Sequence, residues 1–293
     1  MDGQIGFLLK SIGMEIPVIQ APMAGVDTPA LAAAVIKSGG LGSLACALRT
    51  PDDIRAACRQ IRQETAGPIN LNFFCHGVPE YSDATRRRWL QRLLPYYHGF
   101  GLDPQSLLPS AVRAPFNENF CEVIEDINPR VVSFHFGLPS HELLTRVKKM
   151  GAVIFSSATT VAEAVWLEQN GCDVVIAQGA EAGGHRAMFL FADIENQPDM
   201  FPLLGEVLAH IKIPVIAAGG ITNVRDVHAA LAMGAAAVQI GTGYLFCPEA
   251  NVSPLYRDAL CSFDETVITN VFSGRPARGI KNRFINEIGP MAR

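Results

Sequence analysis

The chain has 293 residues, 49% of them hydrophobic and 18% charged, a balance too apolar for a disordered segment and too mixed for a membrane protein. Its 24 Lys and Arg against 28 Asp and Glu leave a formal net charge of -4 with no basic stripe, so nucleic acid is not an expected partner and small molecules are. The longest charge-free run, Ala229 to Pro248, is broken by Gly234, Gln239, Gly241, Thr242 and Gly243 and reads as a helix end plus a strand, not a membrane span.

The start of the chain carries Asp2 and lacks a basic region followed by a small-residue cleavage site, so no secretory signal is expected. Seven cysteines (Cys46, Cys58, Cys75, Cys121, Cys172, Cys247, Cys261) are an odd number without a CxxC pair, which reads as reduced thiols, mostly core filler, in a cytoplasmic protein.

In chain order, short and nearly continuous apolar runs predict eight strands: Pro17–Gln20, Leu41–Leu44, Ile69–Phe73, Val131–Phe134, Val153–Ser156, Val174–Gln178, Pro214–Ala218 and Ala237–Ile240. Helical stretches separate most of them. Thr28, Thr50 and Ser140 offer capping oxygens, and Thr160 with Glu163 has capping-box spacing. The helices before several strands end on a repeated glycine, at Gly39, Gly151, Gly171 and Gly234, expected in the left-handed conformation that closes a helix. Eight βα units make an α/β protein of the (β/α)8 TIM-barrel class, assigned to residues 1–75 and 116–293. Residues 76–115 are too long for a βα loop and are expected to form a partly helical, lid-like insertion after the third strand. It carries Trp89, Tyr96, Tyr97 and a solvated Arg86-Arg87-Arg88 face.

Chemistry in this fold sits at the carboxyl ends of the strands. None of the six lysines falls there, which argues against Schiff-base chemistry, and Glu181 is the only carboxylate close behind a strand, too few for a divalent-metal site. The residues that do fall there, Gln20, Asn70, Asn72, His76, His135, Ser156, Ser157, Gln178, His185, Gln239 and Thr242, form a neutral, amide-rich set. Such a set suits a heterocycle with alternating donors and acceptors, of which a flavin ring is one. Gly219-Gly220 after the seventh strand and Gly241-Thr242-Gly243 after the eighth predict a phosphate cradle. The loop Gln178–Arg186 brings three glycines and His185 to the sixth strand end, where an imidazole can take or share a proton. For His76 and His135 a pocket-lining and a structural role are both open; His98, His141, His210 and His228 are read as structural.

The segments Gln20-Ala21-Pro22-Met23-Ala24-Gly25, Asn70-Leu71-Asn72-Phe73-Phe74, Ser133-Phe134-His135-Phe136-Gly137 and Gly183-Gly184-His185-Arg186 resemble those of the class I nitronate monooxygenases, over about Gly13 to Gly289. The resemblance implies an FMN-dependent barrel that oxidises alkyl nitronates, propionate 3-nitronate among them, with O2 to a carbonyl compound and nitrite or nitrate. It implies that Pro22, Met23 and Ala24 line the flavin, that Asn70 bonds near its edge, and that Gln178 and Gly183 contact the ribityl side. Gly219, Gly220, Gln239, Gly241 and Thr242 would take the phosphate end, and His185 would be the active-site histidine.

Two departures stand out. Members usually continue for several dozen residues past a point like Gly289, through a Ser-Pro-x-Trp-x-Gly-Gln stretch that returns to the flavin, and commonly carry glycine where this chain has Ala187, for which a modest shift of the loop is expected. Two other readings compete: an NAD(P)H-dependent FMN enoyl-ACP or quinone reductase, and a non-catalytic barrel that binds a phosphate ligand.

Overall fold

The computed structural model describes residues 2–77, 82–104, 114–191, 194, 196–263 and 265–291. The barrel strands are β1 (Val18–Gln20), β2 (Gly42–Ala45), β3 (Ile69–Phe74), β4 (Val131–His135), β5 (Val153–Ala158), β6 (Val174–Gln178), β8 (Val215–Ala218) and β9 (Ala237–Ile240), with β7 (Gly184–His185) lying outside the barrel. All eight pair in parallel in the order β1-β9-β8-β6-β5-β4-β3-β2. The two edge strands meet through a bridge between Ile19 and Leu41. Gln20 completes that seam: its side-chain amide donates to the Ser43 carbonyl at 3.1 Å and accepts from the Ser43 N–H at 3.2 Å. Sequence reasoning counted Gln20 among the pocket amides, but it is fully buried and closes the barrel. The strands expected to begin at Pro17 and Pro214 begin one residue later, because proline has no N–H for the ladder; both prolines still accept through their carbonyls, from Val238 and Val175.

Among the described residues ten α-helices accompany the strands ahead of the last one: α1 (Asp2–Ile12), α2 (Pro29–Lys37), α3 (Pro51–Glu64), α4 (Asp83–Gly99), α5 (Glu118–Ile127), α6 (His141–Lys149), α7 (Val161–Gln169), α8 (Met200–His210), α9 (Val224–Met233) and α10 (Pro254–Ser262). The expected caps form: Thr28, Thr50, Ser140 and Thr160 each accept from a first-turn N–H. Gly39, Gly151, Gly171 and Gly234 all adopt positive φ, between 78° and 115°. A side chain there would pay the left-handed penalty in each αβ connection.

Outward-facing Leu71, Phe73, Val132, Phe134 and Ile154 pack under α3, α5 and α6, while Val175, Ala177, Val215 and Val238 pack under α7, α8 and α9. The barrel interior is filled by Ile19, Leu41, Val131, Phe155, Val174, Ile176 and Ile216. Helix α1, not foreseen from the sequence, adds Leu8 and Ile12 to that cluster. Four cysteines (Cys46, Cys58, Cys121, Cys172) are buried and all seven are free thiols.

A second small sheet was also unforeseen. Strands β10 (Thr266–Thr269) and β11 (Ala277–Ile280) form an antiparallel hairpin, and β7 adds to its free edge with His185 opposite Ala277 and Gly184 opposite Arg278. The last helix, α11 (Arg283–Ile288), follows it. The helical part of the insertion is α4, capped by Ser82. Its Arg86, Arg87 and Arg88 are exposed, and it leans on α11: Trp89 and Tyr96 stack edge-on against Phe284, and the Tyr96 hydroxyl donates to Glu287 at 2.6 Å. The remainder of the expected lid lies partly outside the described residues.

Candidate active site

The first wall of the site is the loop after β1. Asp27, fully buried as a side chain, accepts from the backbone N–H groups of Met23 at 2.9 Å and Ala45 at 2.7 Å and faces Arg49 at 3.3 Å. Burial pushes its carboxyl up, while those donors and the guanidinium oppose the shift. Asp27 thereby fixes the backbone of Pro22, Met23 and Ala24, a role that sequence reasoning missed. The Ala21 N–H donates to the Ile240 carbonyl at 2.8 Å, which sets this loop beside Gly241.

Inside the barrel, Asn70 donates to Ser43 Oγ at 3.0 Å and Asn72 donates to Ser133 Oγ at 3.0 Å. Asn70 Oδ1 and Gln239 Oε1 are buried and have no hydrogen-bond partner among the described residues. A buried carbonyl oxygen without a donor costs about 1–3 kcal/mol, so two of them at predicted ligand positions mark acceptors suited to an incoming N–H or O–H.

The glycine loops converge on the same mouth. Gly219 and Gly220 both have positive φ, at 117° and 65°, and a Cβ on Gly219 would lie 3.0 Å from the Ala182 nitrogen. A Cβ on Gly183 would face Thr242 Oγ1 at 3.6 Å. Gly183, Thr242, Gly219 and Gly220 are thus brought together as expected. Gly179, by contrast, is required by packing alone: a Cβ there would sit 2.4 Å from Met200 backbone atoms. Glu181 is likewise structural, since its carboxylate accepts from Met200 N–H at 2.9 Å and caps α8 in place of Asp199.

His185 is held from three sides. Its Nε2 lies 2.8 Å from Ser273 Oγ, its carbonyl accepts from Gln178 Nε2 at 2.9 Å, and its backbone pairs with β11. Gln178 Oε1 accepts from Ala187 N–H at 2.9 Å, so this carboxamide clamps the histidine strand through both its oxygen and its nitrogen. Ala187 lies outside the left-handed region, so alanine at this position introduces no backbone strain. The four residues around His185 form an aromatic cup: Phe74 and Phe136 each lie 6.2 Å from its ring, His135 sits 4.6 Å from Phe136, and His76 contacts both phenylalanines. Phe136 has φ +69°, an uncommon conformation for a bulky residue, stabilised where Ser156 Oγ donates to the next carbonyl, of Gly137, at 2.8 Å.

Glu163 shows where spacing misled. The residue is 1% exposed, and its carboxylate turns away from Thr160 to accept from Thr159 N–H and Oγ1 at 2.7 and 2.8 Å and from Phe189 and Leu190 N–H groups at 2.8 and 3.3 Å. It anchors the segment that follows His185 and Arg186.

His135 Nε2 lies 3.2 Å from the His185 carbonyl, and burial, reinforced by the neighbouring His185, pushes its pKa from 6.5 down to about 3. The fold therefore holds it neutral. Because the unfolded chain binds the proton more readily, this contribution to stability is complete above pH 6.5 and is lost as pH falls from there toward 3. Thermal melts at pH 7.5 and 5 should show a smaller acid-induced drop for His135→Gln than for the unsubstituted chain; equal drops would assign the acid lability elsewhere.

A parallel barrel with unpartnered amide acceptors on its strands and glycine loops and three imidazoles beyond their carboxyl ends has the layout of an α/β-barrel enzyme. A profile of the nitronate monooxygenase family matches residues 6–292. The chain is 41% identical to a nitronate monooxygenase of Paraburkholderia phytofirmans over 94% of this chain and 76% of that one. It is 40% identical to a nitronate monooxygenase of Pseudomonas aeruginosa over 94% and 79%. A solved nitroalkane oxidase from Streptomyces ansochromogenes superposes with a TM-score of 0.88 at 35% identity, covering 97% of this chain and 81% of that one. The chain belongs to the nitronate monooxygenase family, a family of flavin-dependent oxidoreductases. No helix among the described residues is long and apolar enough to cross a membrane.

Proposed function

We propose that this protein is a cytoplasmic FMN-dependent enzyme that oxidises small alkyl nitronates with O2 to a carbonyl compound and nitrite or nitrate. The observation that carries the reading is that two buried acceptors, Asn70 Oδ1 and Gln239 Oε1, stay without a donor among the described residues, on strands of the same barrel whose carboxyl-end loops carry His185 and the glycines. Those acceptors and the open cradle fit a flavin mononucleotide. Pro22, Met23, Ala24 and Asn70 would border its ring, Gln178 and Gly183 its ribityl chain, and Gly219, Gly220, Gln239, Gly241 and Thr242 its phosphate. When bound, FMN supplies the electron transfer and the reactivity toward O2.

The chain's own part is to bind, orient and handle one proton. A nitronate is already a carbanion equivalent, so His185 need only hold it; when the neutral nitroalkane is offered, the imidazole can take the α-proton. Ser273 Oγ lies 2.8 Å from His185 Nε2 and 3.2 Å from the Arg275 carbonyl, and its hydroxyl orients the ring. Phe74, Phe136, His76 and neutral His135 line the cup and limit water around the reacting carbon.

The purified protein should show flavin absorbance and take up oxygen with propionate 3-nitronate, without NADH. A flavin bleached anaerobically by NADH but inert to the nitronate would assign the reductase reading. Absence of flavin bands after incubation with FMN would assign the binding-barrel reading.

A further inference from the structure

Helix α4 runs for 17 residues without burying one of them, so specific contacts hold it where a core does not. Its contacts with α11 form a clasp around one ring. Phe284 receives Trp89 at 6.4 Å and Tyr96 at 4.9 Å, both edge-on. Beside that ring the Tyr96 hydroxyl donates to one oxygen of Glu287 at 2.6 Å, Arg283 pairs with the other at 2.7 Å, and Arg92 donates to the Ile288 carbonyl at 3.2 Å.

The same ring packs on the hairpin that serves the site. Phe272 lies 5.5 Å from Phe284, tilted by 35°, and is 62% exposed, so it is fixed by the few neighbours it has. The next residue is Ser273, whose Oγ lies 2.8 Å from His185 Nε2. Gly274 N–H donates to the Asn270 carbonyl at 2.8 Å and closes the turn around Ser273, while Asn270 N–H donates to the Pro290 carbonyl at 3.3 Å. Residues from both ends of α11 therefore touch this one turn. Pairing with β11 and the Gln178 amide fix the His185 backbone, whereas the direction of its ring depends on what touches the ring, Ser273 Oγ among them.

We propose that Phe284 is a positioning residue for His185: clasped by Trp89 and Tyr96 of α4 and packed on Phe272, it holds the turn that places Ser273 Oγ on the imidazole, so that docking of the insertion helix is coupled to the aim of the active-site ring. The proposal rests on the reading above in which His185 takes the α-proton. Proton transfer is sensitive to a small misplacement of the base, while a nitronate that arrives without the proton makes no such demand.

The test compares turnover of 1-nitropropane and of its nitronate by the flavin-loaded protein. Phe284→Ala should slow the neutral substrate about tenfold and the nitronate no more than about twofold, and Phe284→Leu should recover part of the loss. Because Phe284 acts through the Ser273 hydroxyl, the same substitution made in Ser273→Ala should cost no more than about twofold further. Tyr96→Ala, which opens the clasp from the helix that buries no residue, should show the same asymmetry at smaller size. Equal losses on both substrates, additive losses in the double variant, or unsubstituted behaviour of Tyr96→Ala would overturn the proposal. Two-bond proton–nitrogen spectra of histidine-labelled protein, with His185 identified by its loss in His185→Asn, read the ring without turnover. They should show one tautomer in the unsubstituted protein and an averaged pair in Phe284→Ala. Unchanged His185 nitrogen shifts would overturn the proposal even if no nitronate is oxidised, whereas changed shifts with no turnover of either substrate would overturn only the assigned reaction.

Discussion

Replacing His185 by Asn is expected to lower turnover of a neutral nitroalkane by about a thousandfold while turnover of the preformed nitronate changes by no more than about tenfold, because general-base catalysis is worth roughly two to four orders of magnitude. The asymmetry follows from the chemistry. A neutral nitroalkane must lose its α-proton, which the proposed function assigns to the His185 imidazole; a nitronate arrives without that proton. The geometry supports a base: His185 Nε2 is oriented by Ser273 at 2.8 Å, and the backbone of the same residue is held by Gln178 and β11. Asparagine keeps a polar group on that strand and leaves the backbone pairing intact. Steady-state rates with 1-nitropropane and its nitronate, at matched flavin content, decide the matter. Equal losses on both would restrict His185 to binding. The variant should also lose whatever pH dependence the neutral substrate shows in excess of the nitronate.

Much of the barrel is legible from local sequence because each αβ connection repeats one device, a helix end, a glycine that must turn left-handed, and an apolar strand covered on both faces. The ends of the strands shifted where proline withholds an N–H, where one or two further residues joined the ladder, and at Leu41, expected to open the second strand, which instead bridges to Ile19 just ahead of it. What stayed hidden depends on distant partners. Gly184 and His185 read as loop from their neighbours and become a strand only because Ala277 and Arg278 pair with them. The hairpin that supplies this edge has strands of four residues each, too short for a periodicity signal, and so Ser273 and Arg275 were not anticipated.

The polar residues teach the same lesson. Thr160 and Glu163 satisfy the spacing of a capping box, yet the Glu163 carboxylate serves Thr159, Phe189 and Leu190, because a buried acid next to several unpaired N–H groups gains more from them than from one exposed cap. Gln20 and Gln178 sit at strand ends as foreseen, but backbone groups of adjoining elements claim their amides. Among the described strand residues, Asn70 and Gln239 are the amides that keep an acceptor open, and a sequence cannot distinguish these two outcomes because all four are amides on short apolar strands.

Arg186 carries the second large expectation. It is 1% exposed, the bulkiest fully buried side chain among the described residues, and its guanidinium binds the last carbonyl of the sixth barrel strand and the one after it: Nη2 donates to Gln178 at 2.8 Å and Nη1 to Gly179 at 2.6 Å. Nε and Nη2 also share Gln197 Oε1, at 3.2 and 2.9 Å. Burial lowers its pKa to about 10, with Arg278 adding repulsion and Glu163 and Glu181 attraction, so it stays charged at neutral pH. Its position, directly after His185, makes it the strut between the β6 terminus and the histidine strand. Arg186→Met keeps much of the volume but strands those carbonyls and the Gln197 oxygen in a dry site, at a cost of about 3–5 kcal/mol. For a chain of this size each kcal/mol lowers Tm by roughly 2–4 °C, so a drop of about 10 °C is expected. Weaker flavin retention should accompany it, because Gln178 and Gly183 leave their places when the strut is lost. Arg186→Lys should recover only part of the stability, since a point charge cannot span both carbonyls and Gln197. Melting temperature and the fraction of flavin retained after gel filtration measure both effects. An Arg186→Met protein that melts within a degree or two of the unsubstituted chain and keeps its flavin would show that this buried charge is not what holds the histidine strand in place.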